Sequence, residues 1–354
     1  VTTARADRLL GSTAERELDA LLVTDRTNVR WLTGFTGTSG ACLLSSDERL
    51  LLTDFRYMEQ AARQVDGFEV ARASESLLGE LGARLPSGRV GFDDVNLSVR
   101  SHARLVEKAP SGVELVAAGG VVETLREVKD LEEWARIAEA AELATVALER
   151  VLEGGLAGRT ERGLKLDLEQ EMRLAGAEDA SFPSIVAHGA HGALPHAEPR
   201  DVEIRPGTLV TIDWGARVDG YCSDCTRTLA AGEVGERERE VYELVLRAEQ
   251  AALAAVEPGA AGVAVDAVAR TIIEEAGHGD RFGHGLGHGV GLEVHEGPRL
   301  TKTSEDSLEP GMVVTVEPGV YLPGELGVRI EDLVVVQEGG PRVLTRFPRE
   351  LTTI

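Results

Sequence analysis

The second part of this chain repeats one plan, and that repeat constrains the fold more than any single motif. "ALERVLEGGLAGRTERGLKLDLEQEMRLAGA" and "ALAAVEPGAAGVAVDAVARTIIEEAGH" both read as helix end, glycine-containing turn, second helix and Gly stop. Each leads through a His- and Gly-containing segment to a strand signature, "IRPGTLVTIDWGARVDGYCSDCTRTL" in the first copy and "LEPGMVVTVEPGVYLPGELGVRIEDLVVV" in the second. Setting Pro206-Gly207 against Pro310-Gly311 places Asp213 opposite Glu317, each six residues after its glycine. The repeat predicts two α/β halves related by a pseudo-twofold, with strands meeting in one curved sheet, helices outside and a site at the seam.

Ahead of the repeat, short apolar runs alternate with helical patterns from Leu21 to about Val116 ("LDALLVTD", "ACLLSSDERLLLTD", "FRYMEQAARQV", "GRVGFDD", "VELVAA"), which predicts a separate α/β domain. The pattern changes at the Gly119-Gly120 pair, so the expected domains are residues 1–120 and 121–354. Beyond the boundary, Leu131, Trp134, Ile137, Ala138 and Ala141 recur at helical spacing and predict the apolar stripe of a long helix. The amino-terminal "VTTARADRLLGSTAERELDA" reads as an amphipathic helix without a signal-peptide core.

The 354 residues carry 60 acidic against 37 basic groups, a formal charge of −23. Nucleic acid and anionic membrane are excluded as partners, because binding phosphate needs clustered Lys and Arg. No apolar run approaches membrane-spanning length, and Cys42, Cys222 and Cys225 cannot build a disulfide framework. A cytoplasmic protein is expected. Cys222 and Cys225 form a C-x-x-C, but in a strand-like run rather than at a helix start, and no second pair exists to complete a zinc site. Small buried residues are the expectation for both.

Asp213 and Glu317 stand in β-branched runs ("LVTID", "VVTVE"), where an unpaired buried carboxylate is costly and calls for a cation. Asp224 follows Asp213 by eleven residues and Glu331 follows Glu317 by fourteen, across turn residues that let each strand fold back. Four inward carboxylates with a nearby imidazole offer O and N ligands for two divalent ions such as Mn²⁺, Co²⁺ or Zn²⁺. Four exposed strand-end acids are the competing reading; the repeat-matched pair argues against it.

"FGHGLGHGVGLEVHE" concentrates three of the eight histidines, His284, His288 and His295, among five glycines. Extended backbone puts His284 and His288 on one face, with the glycines giving clearance for a close neighbour. The stretch has no G-x-G-x-x-G register, so nucleotide binding is not its reading. His102, His188, His191 and His278 are expected to be hydrogen-bonded core residues.

Together "HGLGHGVGLEVHE", "VEPGVY", "GVRIED", "DWGARVDGYCSDCTRT" and "LPHAEP" closely resemble the pita-bread metallopeptidases, and among them the Xaa-Pro branch of prolidases and aminopeptidase P. In the first domain "NVRWLTGFTGTSG" and "LLTDFRYMEQA" resemble the amino-terminal creatinase/prolidase-type domain of that branch. Methionine aminopeptidases lack that first domain, and creatinases work without the metals. The resemblance implies an α/β (α+β) chain: an N-terminal creatinase/prolidase-type domain, then a pita-bread domain with a curved antiparallel sheet. It implies Asp213, Asp224, His288, Glu317 and Glu331 as metal ligands, His284 and His295 as imidazoles contacting substrate and oxyanion, and His196 as a further substrate contact. Tyr321 and Arg329 flank the ligands on the substrate side, Thr226 supports them from behind, and a homodimer is expected.

Two divalent ions, Mn²⁺ first, can share one hydroxide and polarise the scissile carbonyl. Glu317 then transfers the proton. The expected substrate is a small peptide with proline at its second position, whose tertiary amide has no N–H for recognition as an added strand. Arg299, four residues past His295, matches a prolidase arginine that binds the free carboxylate of a dipeptide. Xaa-Pro dipeptidase is therefore expected, with aminopeptidase P as the alternative and a non-catalytic peptide-binding relative as the reading from another class.

Overall fold

Near-continuous apolar runs such as "ALLV" and "RLLLT" make strands buried on both faces, and in the first unit they form a six-stranded sheet. The computed structural model describes residues 2–74 and 76–354; Val1, which opens the expected amino-terminal helix, lies outside them. The chain divides into two compact units, Val1–Arg126 and Glu127–Ile354.

In the first unit, helix α1 (Thr2–Glu15) precedes β1 (Ala20–Val23), α2 (Arg26–Thr33), β2 (Gly40–Ser45) and β3 (Arg49–Thr53). After these come α3 (Met58–Gln64), β4 (Glu69–Arg72), α4 (Leu77–Arg84), β5 (Gly88–Phe92), α5 (Val99–Lys108), β6 (Val113–Ala117) and α6 (Val121–Glu127). The sheet order is β4-β3-β2-β1-β5-β6, with β2 antiparallel to both neighbours and the other pairs parallel. Leu22, Leu43, Leu50, Leu52, Val90 and Leu105 fill its core. This is the α/β domain expected there.

A short helix, α6, stands between the expected boundary and the long helix. Residues 128–130 leave the helical path, and Asp130 caps a new helix, α7 (Leu131–Leu152), in a reciprocal capping box with Glu133. Leu131, at its first position, is exposed rather than on the apolar stripe, whereas Ile137 and Ala141 are buried.

The second unit continues with α8 (Glu161–Ala175), β7 (Asp179–Ala180), β8 (Ile185–His188), β9 (Thr208–Trp214), β10 (Ala216–Val218), β11 (Tyr221–Cys222) and β12 (Cys225–Ala231). Next come α9 (Glu236–Ala254), α10 (Gly262–Glu275), β13 (Gly287–Gly289), β14 (Glu296–Leu300), β15 (Val313–Val316), β16 (Gly319–Leu322), β17 (Leu326–Arg329), β18 (Asp332–Val335) and β19 (Arg342–Val343). Strands order as β12-β9-β8 in one half and β14-β13-β15-β18-β19 in the other, all antiparallel. An antiparallel bridge between Thr226 and Glu331 joins the halves, with the Glu331 N–H donating to the Thr226 carbonyl at 3.0 Å.

The duplication is visible throughout this unit. Strands β9 and β12 match β15 and β18, and each pair is interrupted by a small hairpin, β10–β11 or β16–β17. Each half has its own core: Leu148, Leu164, Leu168 and Trp214 between α7, α8 and the first strands, and Val245, Val265, Val314 and Val334 between α9, α10 and the second.

Candidate metal centre

Strand register decides which side chains meet. Asp213 lies opposite Thr226 in the β9–β12 ladder, so the fold-back brings Asp224, just before β12, to the end of that ladder rather than directly across from Asp213. In the second half Val316 pairs with Asp332, which leaves Glu317 and Glu331 at the matching end. Asp224, His288 and Glu331 then each offer one donor atom, all within 4.8 Å of one another. His288 Nε2 lies 3.2 Å from Glu317 Oε1 and 3.8 Å from Asp224 Oδ2.

The glycines around His288 serve close approach. A Cβ on Gly287 would sit 2.0 Å from the Thr315 carbonyl oxygen, and one on Gly289 would sit 1.8 Å from that of Gly297. Either would push β13 off its neighbours. Regular strand covers only Gly287–Gly289, so His284 precedes it on irregular backbone.

These residues suit a cation on two counts. Asp213 Oδ1 is buried without a hydrogen-bond partner in the described structure, and an orphaned carboxylate oxygen is costly. His288 Nδ1 faces the Gly289 carbonyl at 3.1 Å and so donates to it, which fixes the ring with Nε2 toward the two carboxylates. That nitrogen and the carboxylate oxygens converge as a set of cation donors. Burial, then the charges of Glu331, Asp213 and Glu317, raises Asp224 well above the usual carboxylate range. Burial, then Glu317 and Asp213, does the same to Glu331. Asp213 also moves up, mainly by burial and against the pull of Arg329. Burial alone would raise Glu317 too, but the hydrogen bond and charge of His288 bring it to about 2.

Behind the acids runs a hydrogen-bonded relay. Arg329, buried in β17, donates Nη2 to Asp213 Oδ2 at 2.6 Å, Nε to the Thr226 hydroxyl at 3.0 Å and Nη1 to the Tyr321 hydroxyl at 3.0 Å. The Thr226 hydroxyl in turn donates a hydrogen bond to Glu331 Oε2 at 2.7 Å. The Tyr321 hydroxyl lies 2.8 Å from His284 Nε2, while His284 Nδ1 sits 2.7 Å from the Gly285 carbonyl. Both His284 nitrogens are therefore engaged, and burial lowers its pKa.

In front lies a cavity of about 820 Å³, lined by Asp213, Asp224, His288, Glu317, Glu331 and Arg329 and also by His284, His295, His196 and Arg299. Tyr321 does not line it. His295 is exposed to the cavity, its ring centroid 4.3 Å from that of His288, and burial and then His288 lower its pKa to about 4. Arg299 is the ladder partner of His288, so the two side chains share the face toward the cavity.

Sequence reasoning missed Thr315. Its hydroxyl accepts from the His288 N–H and donates to Glu317 Oε1, both at 3.1 Å. Period-two spacing in "VVTVE" carried that signal. Cys222 and Cys225 are free and buried, and burial raises both thiols, Cys222 to about 11. That is neither redox nor zinc chemistry. His188 and His191 are hydrogen-bonded to Glu161, His102 lies tilted against Phe92 with ring centroids 4.9 Å apart, and His278 is partly buried where the Gly279–Arg281 turn begins.

Comparison with known proteins identifies the family. Residues 135–338 match metallopeptidase family M24. The chain belongs to that family. Residues 5–128 of this M24 hydrolase match the creatinase/prolidase N-terminal domain. The chain is 43% identical over 337 residues to an uncharacterized peptidase, YqhT, of Bacillus subtilis (strain 168), covering 94% of this chain and 95% of that one. It is similar to an Xaa-Pro dipeptidase structure from Bacillus anthracis, with TM-score 0.97, 38% identity and 100% of both chains covered. An X-Pro aminopeptidase structure from Thermotoga maritima MSB8 matches with TM-score 0.91, 35% identity and coverage of 99% and 100%. Among the described residues no helix is long and apolar enough to cross a membrane.

Proposed function

We propose that this M24 chain hydrolyses Xaa-Pro dipeptides with two divalent ions held by Asp213, Asp224, His288, Glu317 and Glu331. One observation carries the reading: both halves of the repeat bring acids to one cavity wall, where Asp213 keeps a buried oxygen without a protein partner. When bound, such ions supply a nucleophile at neutral pH and polarise the scissile carbonyl.

The protein's own groups do the rest. Glu317 takes the proton of the attacking water and delivers it to the leaving proline nitrogen. Thr315 donates to its Oε1 and holds that carboxylate in place. His295, neutral at working pH and without a hydrogen-bond partner among the described residues, donates its N–H to the developing oxyanion, a contact worth about 3 kcal/mol in comparable sites. His284 keeps Tyr321 against Arg329, and Arg329 aims Asp213; these three serve by positioning. His196, which lines the cavity, contacts the substrate, and Arg299 receives the free carboxylate of the dipeptide.

Similarity to the Thermotoga aminopeptidase favours a second reading, release of the first residue from Xaa-Pro-Yaa. Metal-free protein titrated with Mn²⁺ and assayed on Xaa-Pro and Xaa-Pro-Yaa decides between them: turnover of the tripeptide alone would reassign it to aminopeptidase P. Mn²⁺ as the resident ion, a homodimer and a cytoplasmic setting belong to the same proposal. Three free, buried cysteines support the reducing setting, and metal analysis and light scattering test the other two.

A further inference from the structure

We infer that Glu161 is a positioning residue that clasps the loop carrying His196 and thereby sets how well the peptide is held; this rests on His196 as a substrate contact. Residues 188–200 leave β8, turn through the 3₁₀ segment Gly189–Ala193 and bring His196 to the cavity. Among the described residues His196 makes no hydrogen bond of its own. Its place is set by the loop.

Both ends of that loop are tied to one carboxylate. Glu161, the first residue of α8, is fully buried. At the entrance, the His188 N–H donates to Oε1 at 3.1 Å, and His188 Nδ1 lies 2.8 Å from the same oxygen. Inside the loop, His191 Nδ1 lies 3.0 Å from Oε2. At the exit, Arg200 donates its backbone N–H and Nε to Oε2, both at 3.0 Å, and Nη2 to Oε1 at 3.1 Å. Both imidazoles carry their hydrogen on Nδ1 to make these bonds. Burial would raise the Glu161 carboxyl, but Arg200 and the His188 N–H hold it at about 2, so it stays ionised and accepting.

The middle of the loop is registered to the acid cluster. The Pro195 carbonyl accepts from Arg329 Nη1 at 3.2 Å, the same guanidinium that holds Asp213. Gly327 makes room: a Cβ there would sit 1.8 Å from the Gly192 carbonyl oxygen. Pro195 and Pro199 restrict the backbone on either side of His196. Among the described residues, only the Arg329 bond to Pro195 holds the middle of the loop beside the clasp, so freeing the base loosens the segment that carries His196 while the metal ligands stay put.

The test uses full-length, metal-loaded Glu161→Gln and, because a buried change can fail to fold, Arg200→Ala, whose side chain is 46% exposed. Each should raise KM for an Xaa-Pro dipeptide by about tenfold while kcat moves by less than about threefold. Amides of residues 189–200 should exchange with deuterium about tenfold faster, with β9 and β15 still protected. Unchanged exchange in the loop of Arg200→Ala would overturn the clasp. Faster exchange with unchanged KM would overturn its role in holding peptide. Exchange needs no substrate, so wild-type protein that left Xaa-Pro uncut would sink the activity assignment while the clasp was still judged by exchange.

Discussion

Asp213 gives one carboxylate oxygen to Arg329, at 2.6 Å, and buries the other without a protein partner. The first contact aims the side chain; the second leaves an acceptor facing the cavity. Because the Arg329 Nε also reaches Thr226, whose hydroxyl binds Glu331, one guanidinium registers an acid from each half of the duplication.

Asp213→Asn should therefore remove one ion and not the fold. The amide keeps the shape and can still accept from Arg329, but it loses the charge that a divalent ion needs. Metal analysis should fall from about two ions per chain to about one, with kcat/KM down by about a thousandfold. Two ions retained in the variant would take Asp213 out of the ligand set.

Metal uptake should release protons. Asp224 and Glu331, raised by burial and by neighbouring acids, keep their protons to higher pH in the metal-free chain than ordinary carboxyls do. A carboxyl raised in the folded state stabilises while protonated, and that contribution is lost as pH climbs from the ordinary 3.8 or 4.5 through the raised value. Glu317, brought to about 2, runs the other way: its contribution is present above 4.5 and lost as pH falls toward about 2. The Tm of metal-free protein should fall as pH rises above the ordinary carboxylate range, and divalent cation should restore it. The apparent metal Kd should tighten by about tenfold per pH unit for each proton released. A Kd flat above that range would show the acids already ionised.

Arg299→Ala should separate dipeptide from tripeptide. Its register opposite His288 points the guanidinium at the cavity, where a free proline carboxylate would end in a dipeptide but not in a longer peptide. KM for Xaa-Pro should rise by about tenfold or more, with Xaa-Pro-Yaa changed by less than about twofold. Equal effects on both substrates would return Arg299 to the role of a solvated arginine.

The acids were legible in the sequence because duplication gives them matched offsets from Pro206-Gly207 and Pro310-Gly311. The C-x-x-C could be set aside because its surroundings read as strand. The Thr226–Glu331 bridge was not legible: its partners are 105 residues apart, and no local pattern encodes a pairing between halves. Glu161 was hidden for a related reason, since an acid after a Thr cap reads as a dipole partner until a loop 27 to 39 residues later folds onto it. The break before α7 was written in Asp130 and Glu133, whose capping box sits directly ahead of the apolar spacing that begins at Leu131.

Gly287→Ala tests whether the glycines of "GHGLGHGVG" give clearance or merely flexibility. A methyl group there would meet the Thr315 carbonyl at 2.0 Å, and backbone cannot swing aside as a side chain can. Relief requires β13 to part from β15, which carries the His288 N–H away from the Thr315 hydroxyl and the imidazole away from Glu317. The variant should lose about 2 kcal/mol or more of stability and bind metal more weakly. Gly283→Ala is the control, because nothing lies within 4 Å of its added Cβ, and it should cost less than about 1 kcal/mol. If the two variants matched in Tm and metal affinity, close strand approach would not be what the glycine at 287 provides.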